Sequence, residues 1–214
     1  MHIQIVLFDG FDLLDVMAPY ELFATASRLT KENVIVSIVS VDGSEMVSSG
    51  TNQYPLKAEG KLDLSKKGII LVPGAAGSLN EGDPDFIPMK LKNASETELG
   101  NLIRKAVADP EMIVTSVCGG SVLLAMTGAI DGRNAVTHHM GMDLLAVTEV
   151  NPIHARVVDD GDLITGAGVT SGLDLGIYVV ERELGPRIAL EVERLFQYEK
   201  RGTVWKNEGN KPIL

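Results

Sequence analysis

A run of apolar, mostly β-branched residues, Ile113-Val114-Thr115-Ser116-Val117, ends in the chain's only cysteine, Cys118, and passes through Gly119-Gly120 into Ser121-Val122-Leu123-Leu124. The segment reads as a buried strand that turns at once into a helix, with paired glycines to relieve crowding at so sharp a turn. An elbow of this kind needs a sheet whose strands are followed by helices. The competing reading is an inert core cysteine, because a lone cysteine in an apolar run usually packs as a small hydrophobe. The glycines favour the elbow, since a strand continuing through the core would not need them. At an elbow the thiol faces the unpaired N–H groups that open a helix, and these favour thiolate over thiol.

The rest of the chain supplies such a sheet. Residues 2–8, 34–41 and 68–72 are apolar runs closed by Asp9-Gly10, Asp42-Gly43 and Pro73-Gly74, which reads as three buried parallel strands with a short hairpin between the last two. After the first strand, Leu22, Ala26 and Leu29 recur at helical spacing, with Pro19 in a first-turn position and Asp15 near the helix start. Ser95 and Glu98 form a capping box for a helix through Leu99, Leu102, Ile103 and Ala106. Residues 79–93 read as an irregular surface excursion rather than a lid. Residues 135–137 suit a short strand, and 153–158 with 163–165 suit a hairpin closed by a type I′-like turn at Asp159-Asp160-Gly161-Asp162. Thr170 is placed to cap a helix over 171–184, and Gly185-Pro186 leads into another over 187–198. This alternation predicts an α/β fold, a mostly parallel sheet with helices on both faces, in a single domain over 1–198 followed by a polar C-terminal tail, 199–214.

Composition excludes more than it assigns. A net charge of −10 without clustered Lys and Arg argues against a nucleic-acid surface, and no apolar run approaches the ~20 residues of a membrane span. A single cysteine cannot form an internal disulfide, and no leader-like segment opens the sequence, so a reducing, cytoplasmic location is expected.

In an open α/β sheet, chemistry gathers at the carboxyl ends of the strands. Three segments there can act: the loop holding Asp15, the turn Pro73-Gly74-Ala75-Ala76-Gly77, and the Cys118 elbow. Asp15 is either a general acid/base beside the thiol or a polar residue that helps to begin its helix. The glycine-containing turn can aim N–H groups at a developing anion, although it lacks both the P-loop and the G-x-G-x-x-G pattern. His138-His139 could offer a base to Cys118, but a structural histidine is the better reading, and no metal-ligand spacing emerges from the four histidines. Neither a metal nor a cofactor is expected.

Thr115-Ser116-Val117-Cys118-Gly119-Gly120-Ser121, Gly128-Ala129-Ile130-Asp131-Gly132-Arg133, Thr137-His138, residues 163–174 and Leu14-Asp15-Val16-Met17-Ala18-Pro19 resemble the ThiJ/PfpI superfamily, the class I glutamine amidotransferase-like proteins. Within it the chain is most similar to the isonitrile hydratase branch and to ligand-binding domains of AraC-type regulators. The resemblance implies a flavodoxin-like sandwich, a homodimer acting on a small molecule, Cys118 as nucleophile, Asp15 as its acid/base partner, and anion-stabilising N–H groups from Ala75 and Gly119. It implies a hydratase that adds water to an isonitrile, giving an N-substituted formamide through a thioimidate. The alternatives are a glyoxalase- or deglycase-like enzyme on small reactive carbonyls and a non-catalytic redox sensor or ligand-binding protein. The 16 residues after Tyr198 are too few for a helix-turn-helix domain. The chain departs from its relatives at Gly119, where hydratases carry threonine and protease-like members carry histidine, and at Gly74-Ala75 in place of Gly-Gly. Loss of the histidine removes the usual peptidase dyad, so proteolysis is not expected.

Overall fold

In the computed structural model, which describes residues 1–210 and 213, the apolar runs become strands at the centre of one sheet. In chain order the elements are β1 (His2–Leu7), α1 (Leu13–Leu29), β2 (Ile35–Ser40), β3 (Met46–Ser48), β4 (Pro55–Lys57), β5 (Gly60–Lys61), β6 (Gly68–Val72), α2 (Ile87–Ser95), α3 (Glu98–Val107), β7 (Met112–Val117), α4 (Gly120–Met126), β8 (Asn134–Ala135), α5 (Met142–Ala146), β9 (Asn151–Pro152), β10 (Val157–Asp159), β11 (Leu163–Gly166), α6 (Ser171–Leu184), α7 (Pro186–Phe196) and β12 (Trp205–Lys206). The eight-stranded sheet runs β12-β10-β11-β7-β6-β1-β2-β5 and is parallel except between β10 and β11. Helix α1 packs on α6 and α7, while α2 packs on α3 and α4. This is the expected α/β, flavodoxin-like sandwich. Among the described residues no helix is long and apolar enough to cross a membrane.

Register brings the chemistry to one edge. Val72 pairs with Ser116 and Gly166 with Val117, so the turn after β6 and the elbow after β7 emerge side by side. The core beneath them is fully buried: Ile5, Leu7, Ile69, Leu71, Val117 and Leu123 expose essentially no surface.

Several local readings change. Helix α1 begins at Leu13 because Asp12 caps it, its side chain accepting from the N–H groups of Leu14 and Asp15. Pro19 therefore lies inside the helix, where its missing N–H leaves the Asp15 carbonyl without its helical partner. Thr97, not Ser95, caps α3; Ser95 ends α2 and its hydroxyl donates to the Lys92 carbonyl. The supposed surface excursion at 79–93 contains most of α2, whose Leu91 is buried in the core. The turn between β10 and β11 has a left-handed residue only at Gly161, so it is not type I′, which needs two. Thr170 makes no side-chain cap; its hydroxyl accepts from Arg156 instead.

The segment after Tyr198 returns to the sheet as β12, and a buried carboxylate anchors it. Asp174, on α6 and fully buried, accepts from Arg156 Nε at 2.6 Å, from the Tyr198 hydroxyl at 3.0 Å and from the Arg201 N–H at 2.6 Å. Removing that carboxylate strands the Arg156 charge and two donors. Asp174→Ala is expected to lower unfolding free energy by about 3 kcal/mol in urea titration, and a loss under ~1 kcal/mol would show that the anchor is dispensable.

Candidate active site

The elbow carries real strain. Cys118 has φ +55°, a left-handed backbone that a non-glycine residue adopts at a cost of about 1–3 kcal/mol. Two bonds hold it there: its N–H donates to the Gly166 carbonyl at 3.0 Å, and the Thr137 hydroxyl donates to its carbonyl at 2.7 Å. Behind it, Ser116 and Ser121 share a buried hydroxyl hydrogen bond of 2.7 Å that ties strand to helix. Thr137 stands in the Thr137-His138 motif of the family resemblance, but sequence reasoning assigned it no role at the site.

Asp15 lies in the first turn of α1 and is completely buried. Its Oδ2 accepts from the Gly74 N–H at 2.9 Å, while Oδ1 has no hydrogen-bond partner among the described residues. The Asp12 cap takes over the helix-starting role, so the structural reading of Asp15 loses its support. Gly74 is required at this contact: a Cβ there would lie 2.6 Å from Gly119 N and 2.9 Å from Asp15 Oδ2.

Burial pushes the Asp15 carboxyl well above the ordinary carboxylate range, helped by the Asp12 charge and opposed by the Gly74 N–H. A carboxyl with an unpartnered buried oxygen is well suited to hold a proton there. The Cys118 thiol is also pushed up, first by burial and then by the charge on Asp15, and these outweigh the Gly119 N–H that favours thiolate. The expectation that the elbow itself depresses the thiol pKa is thereby reversed, because α4 has only seven residues and the sulfur sits away from water. Asp15 and Cys118 are electrostatic neighbours, though no hydrogen bond joins them directly.

The N–H groups of Ala75 and Gly119 donate to no main-chain carbonyl among the described residues, and both residues line the cavity that holds the thiol. That cavity has a volume of about 280 Å³. Its walls are mainly apolar, with Leu79, Ile87, Leu91, Val122, Leu144 and Val169 around Cys118. Leu91 covers Gly119, where a Cβ would meet its Cδ1 at 3.1 Å. A larger cleft of about 530 Å³ lies across α2 and contains neither Cys118 nor Asp15. His138 also lines the thiol cavity; burial and the neighbouring His139 lower its pKa, and its Nδ1 accepts from the Met140 N–H. The neutral ring therefore carries its proton on Nε2, and it makes no hydrogen bond to the thiol among the described residues. Nor do three or more potential ligands cluster to hold a metal among those residues.

Residues 1–182 match the DJ-1/PfpI family. The chain belongs to that family. Among its relatives, isonitrile hydratase of Pseudomonas putida is 28% identical over 205 residues, covering 92% of this chain and 78% of that protein. The HTH-type transcriptional regulator CdhR of Pseudomonas aeruginosa is 26% identical over 194 residues, 89% of this chain; the chain spans about half of the regulator's length, 53%. Drosophila melanogaster DJ-1beta superposes with a TM-score of 0.77 at 17% identity, over 92% of this chain and 98% of that one, a likeness of fold.

The pair's electrostatics are directly testable. At a pH high enough to ionise Asp15, the Asp15→Asn substitution removes the neighbouring charge and lowers the thiol pKa, so alkylation of Cys118 by iodoacetamide is expected to be about tenfold faster there; an unchanged or slower rate would contradict the coupling. The stability sign is also set. Asp15's folded pKa lies above its unfolded value of about 3.9, so its contribution is fully present below that pH and lost as pH rises through the folded pKa. Urea unfolding between about pH 4 and 7 should show a decline that Asp15→Asn largely removes.

Proposed function

We propose that the protein is a cysteine-dependent hydratase of the isonitrile type. The observation that carries this reading is a thiol in the wall of an apolar pocket, electrostatically coupled to the buried Asp15 carboxyl, both with raised pKa, beside the Ala75 and Gly119 N–H groups that donate to no main-chain carbonyl among the described residues. An isonitrile is a small neutral molecule with an electrophilic terminal carbon, and this pocket offers no Lys or Arg to hold an anionic substrate. The 28% identity to the Pseudomonas putida hydratase supports the same branch.

One proton held between Asp15 and Cys118 suffices for the cycle. When it resides on Asp15, the thiolate attacks the terminal carbon of the isonitrile, forming the S–C bond. The carboxyl delivers its proton to that carbon, giving a thioimidate, R–N=CH–S. Asp15, now a carboxylate, takes one proton from a water whose oxygen adds to the same carbon, and the water's second proton goes to nitrogen. The Ala75 and Gly119 N–H groups stabilise the oxygen as charge gathers on it. The C–S bond then breaks, releasing the N-substituted formamide and restoring the thiolate beside a protonated Asp15. The sum is isonitrile plus water to formamide, with neither oxidation nor reduction. A raised thiol pKa fits this scheme, because proton exchange with Asp15, rather than a resting thiolate, makes the nucleophile.

Gly119 bears on the reading through Leu91, which fills the space above it and keeps the elbow under an apolar wall without any side chain from residue 119. The homodimer implied by the family resemblance is part of the same proposal. Incubation with an alkyl isonitrile should yield the corresponding formamide. Cys118→Ala is expected to abolish turnover, and Asp15→Asn to lower kcat by about 100-fold or more. Formamide formation that survives loss of the thiol would overturn the mechanism, and consumption of methylglyoxal in its place would favour the carbonyl reading.

A further inference from the structure

The Ala75 N–H can serve a developing anion only if the loop that carries it is held before the reaction begins. Its own peptide unit is fixed from α1: the Gly74 carbonyl accepts from the Asp12 N–H at 2.8 Å, and the Ala75 N–H is the opposite end of that planar unit. The next two units are held in turn. The Ala76 N–H, in the Ala75–Ala76 unit, donates to the Gly10 carbonyl at 3.1 Å, and the Ala76 carbonyl, in the Ala76–Gly77 unit, accepts from Lys90 Nζ on α2 at 2.7 Å.

Lys90 reaches this carbonyl through a channel that two glycines keep open. Its stem passes over Gly10, where a Cβ would lie 2.9 Å from Cδ and 3.3 Å from Cε. Its ammonium ends against Gly77, where a Cβ would lie 2.9 Å from Nζ. Both glycines have positive φ, +85° and +158°, so their lack of a side chain serves the turn and the lysine together. A half-buried ammonium on a neutral carbonyl forms a charge-assisted bond stronger than an ordinary amide contact. The next residue on α2 is Leu91, which covers Gly119. Consecutive residues of one helix therefore grip the loop carrying one anion-stabilising N–H and shield the residue carrying the other.

We propose that Lys90 is a positioning residue, whose ammonium holds the Ala76 carbonyl and so keeps the 74–77 loop in the geometry in which the Ala75 N–H faces the reacting carbon's oxygen. This deepens the hydratase reading and rests on it for the role of Ala75. The loop anchoring itself can be read without turnover.

Two substitutions separate charge from bulk. Lys90→Met keeps a stem in the channel and removes the donor; Lys90→Arg keeps a cationic donor. By NMR, amide exchange at Ala76 and Ser78 is expected to be about tenfold faster or more in Lys90→Met, with β1 and α1 amides within about twofold of wild type, and near wild type in Lys90→Arg. With an alkyl isonitrile, Lys90→Met should lower kcat about tenfold while KM stays within about twofold, and Lys90→Arg should recover most of the loss. Unchanged exchange at Ala76 in Lys90→Met overturns the proposal. Faster exchange with an undiminished kcat also overturns it, by showing that the anchor has no bearing on catalysis. If the wild-type protein turns over no isonitrile while exchange responds as expected, the substrate assignment fails and the loop anchor stands.

Discussion

The hydrogen bond from the Gly74 N–H to the buried Asp15 carboxyl is the contact around which the candidate site is assembled. It joins the first turn of the first helix to the turn after β6, two segments far apart in sequence. It also occupies one carboxyl oxygen and leaves the other unpartnered. One interaction thus fixes the place of the acid and decides which of its oxygens is free. Asp12 makes this possible by capping the helix itself, which frees Asp15 from a structural duty that would have turned its carboxylate toward the backbone. The Pro19 interruption nearby costs α1 a backbone bond at the same residue, so the helix gives up regularity where the site needs a side chain held deep in the core.

The electrostatics follow from burial more than from the elbow. A thiol at the start of a helix is commonly expected to ionise easily, yet α4 is short and Cys118 lies largely out of water beside a carboxyl. Desolvation and the neighbouring charge then exceed what a single N–H contact can offset. Two neighbouring groups whose pKa values are both raised form a pair suited to sharing one proton between them.

Much of the fold was legible because it rests on short-range signals. The apolar runs closed by Asp-Gly or Pro-Gly became the central parallel strands, and Cys118-Gly119-Gly120 did mark an elbow. The failures turned on contacts that lie outside the local sequence. Ser95 and Thr97 both suit a cap, and the choice was made by the way α2 ends against α3, which spacing cannot reveal. Residues 79–93 looked irregular because Pro84 and Pro88 mask a helix whose apolar residue Leu91 has its partners on other elements. At the site, Cys118, Asp15, Ala75 and Gly119 could be named from motifs and family resemblance. Thr137 stood in a motif without a role and Lys90 in none, because the contacts of both are to backbone carbonyls distant in sequence, which meet only once the strands have set their register.

The sheet's two borders carry a further consequence. Each is formed by a strand of only two residues, β5 on one side and β12 on the other. So short an edge offers almost no ladder of free N–H and C=O groups for another molecule to extend, which protects a strongly apolar interior sheet from growing by strand addition. Aggregation through this sheet therefore requires first stripping off an outermost strand.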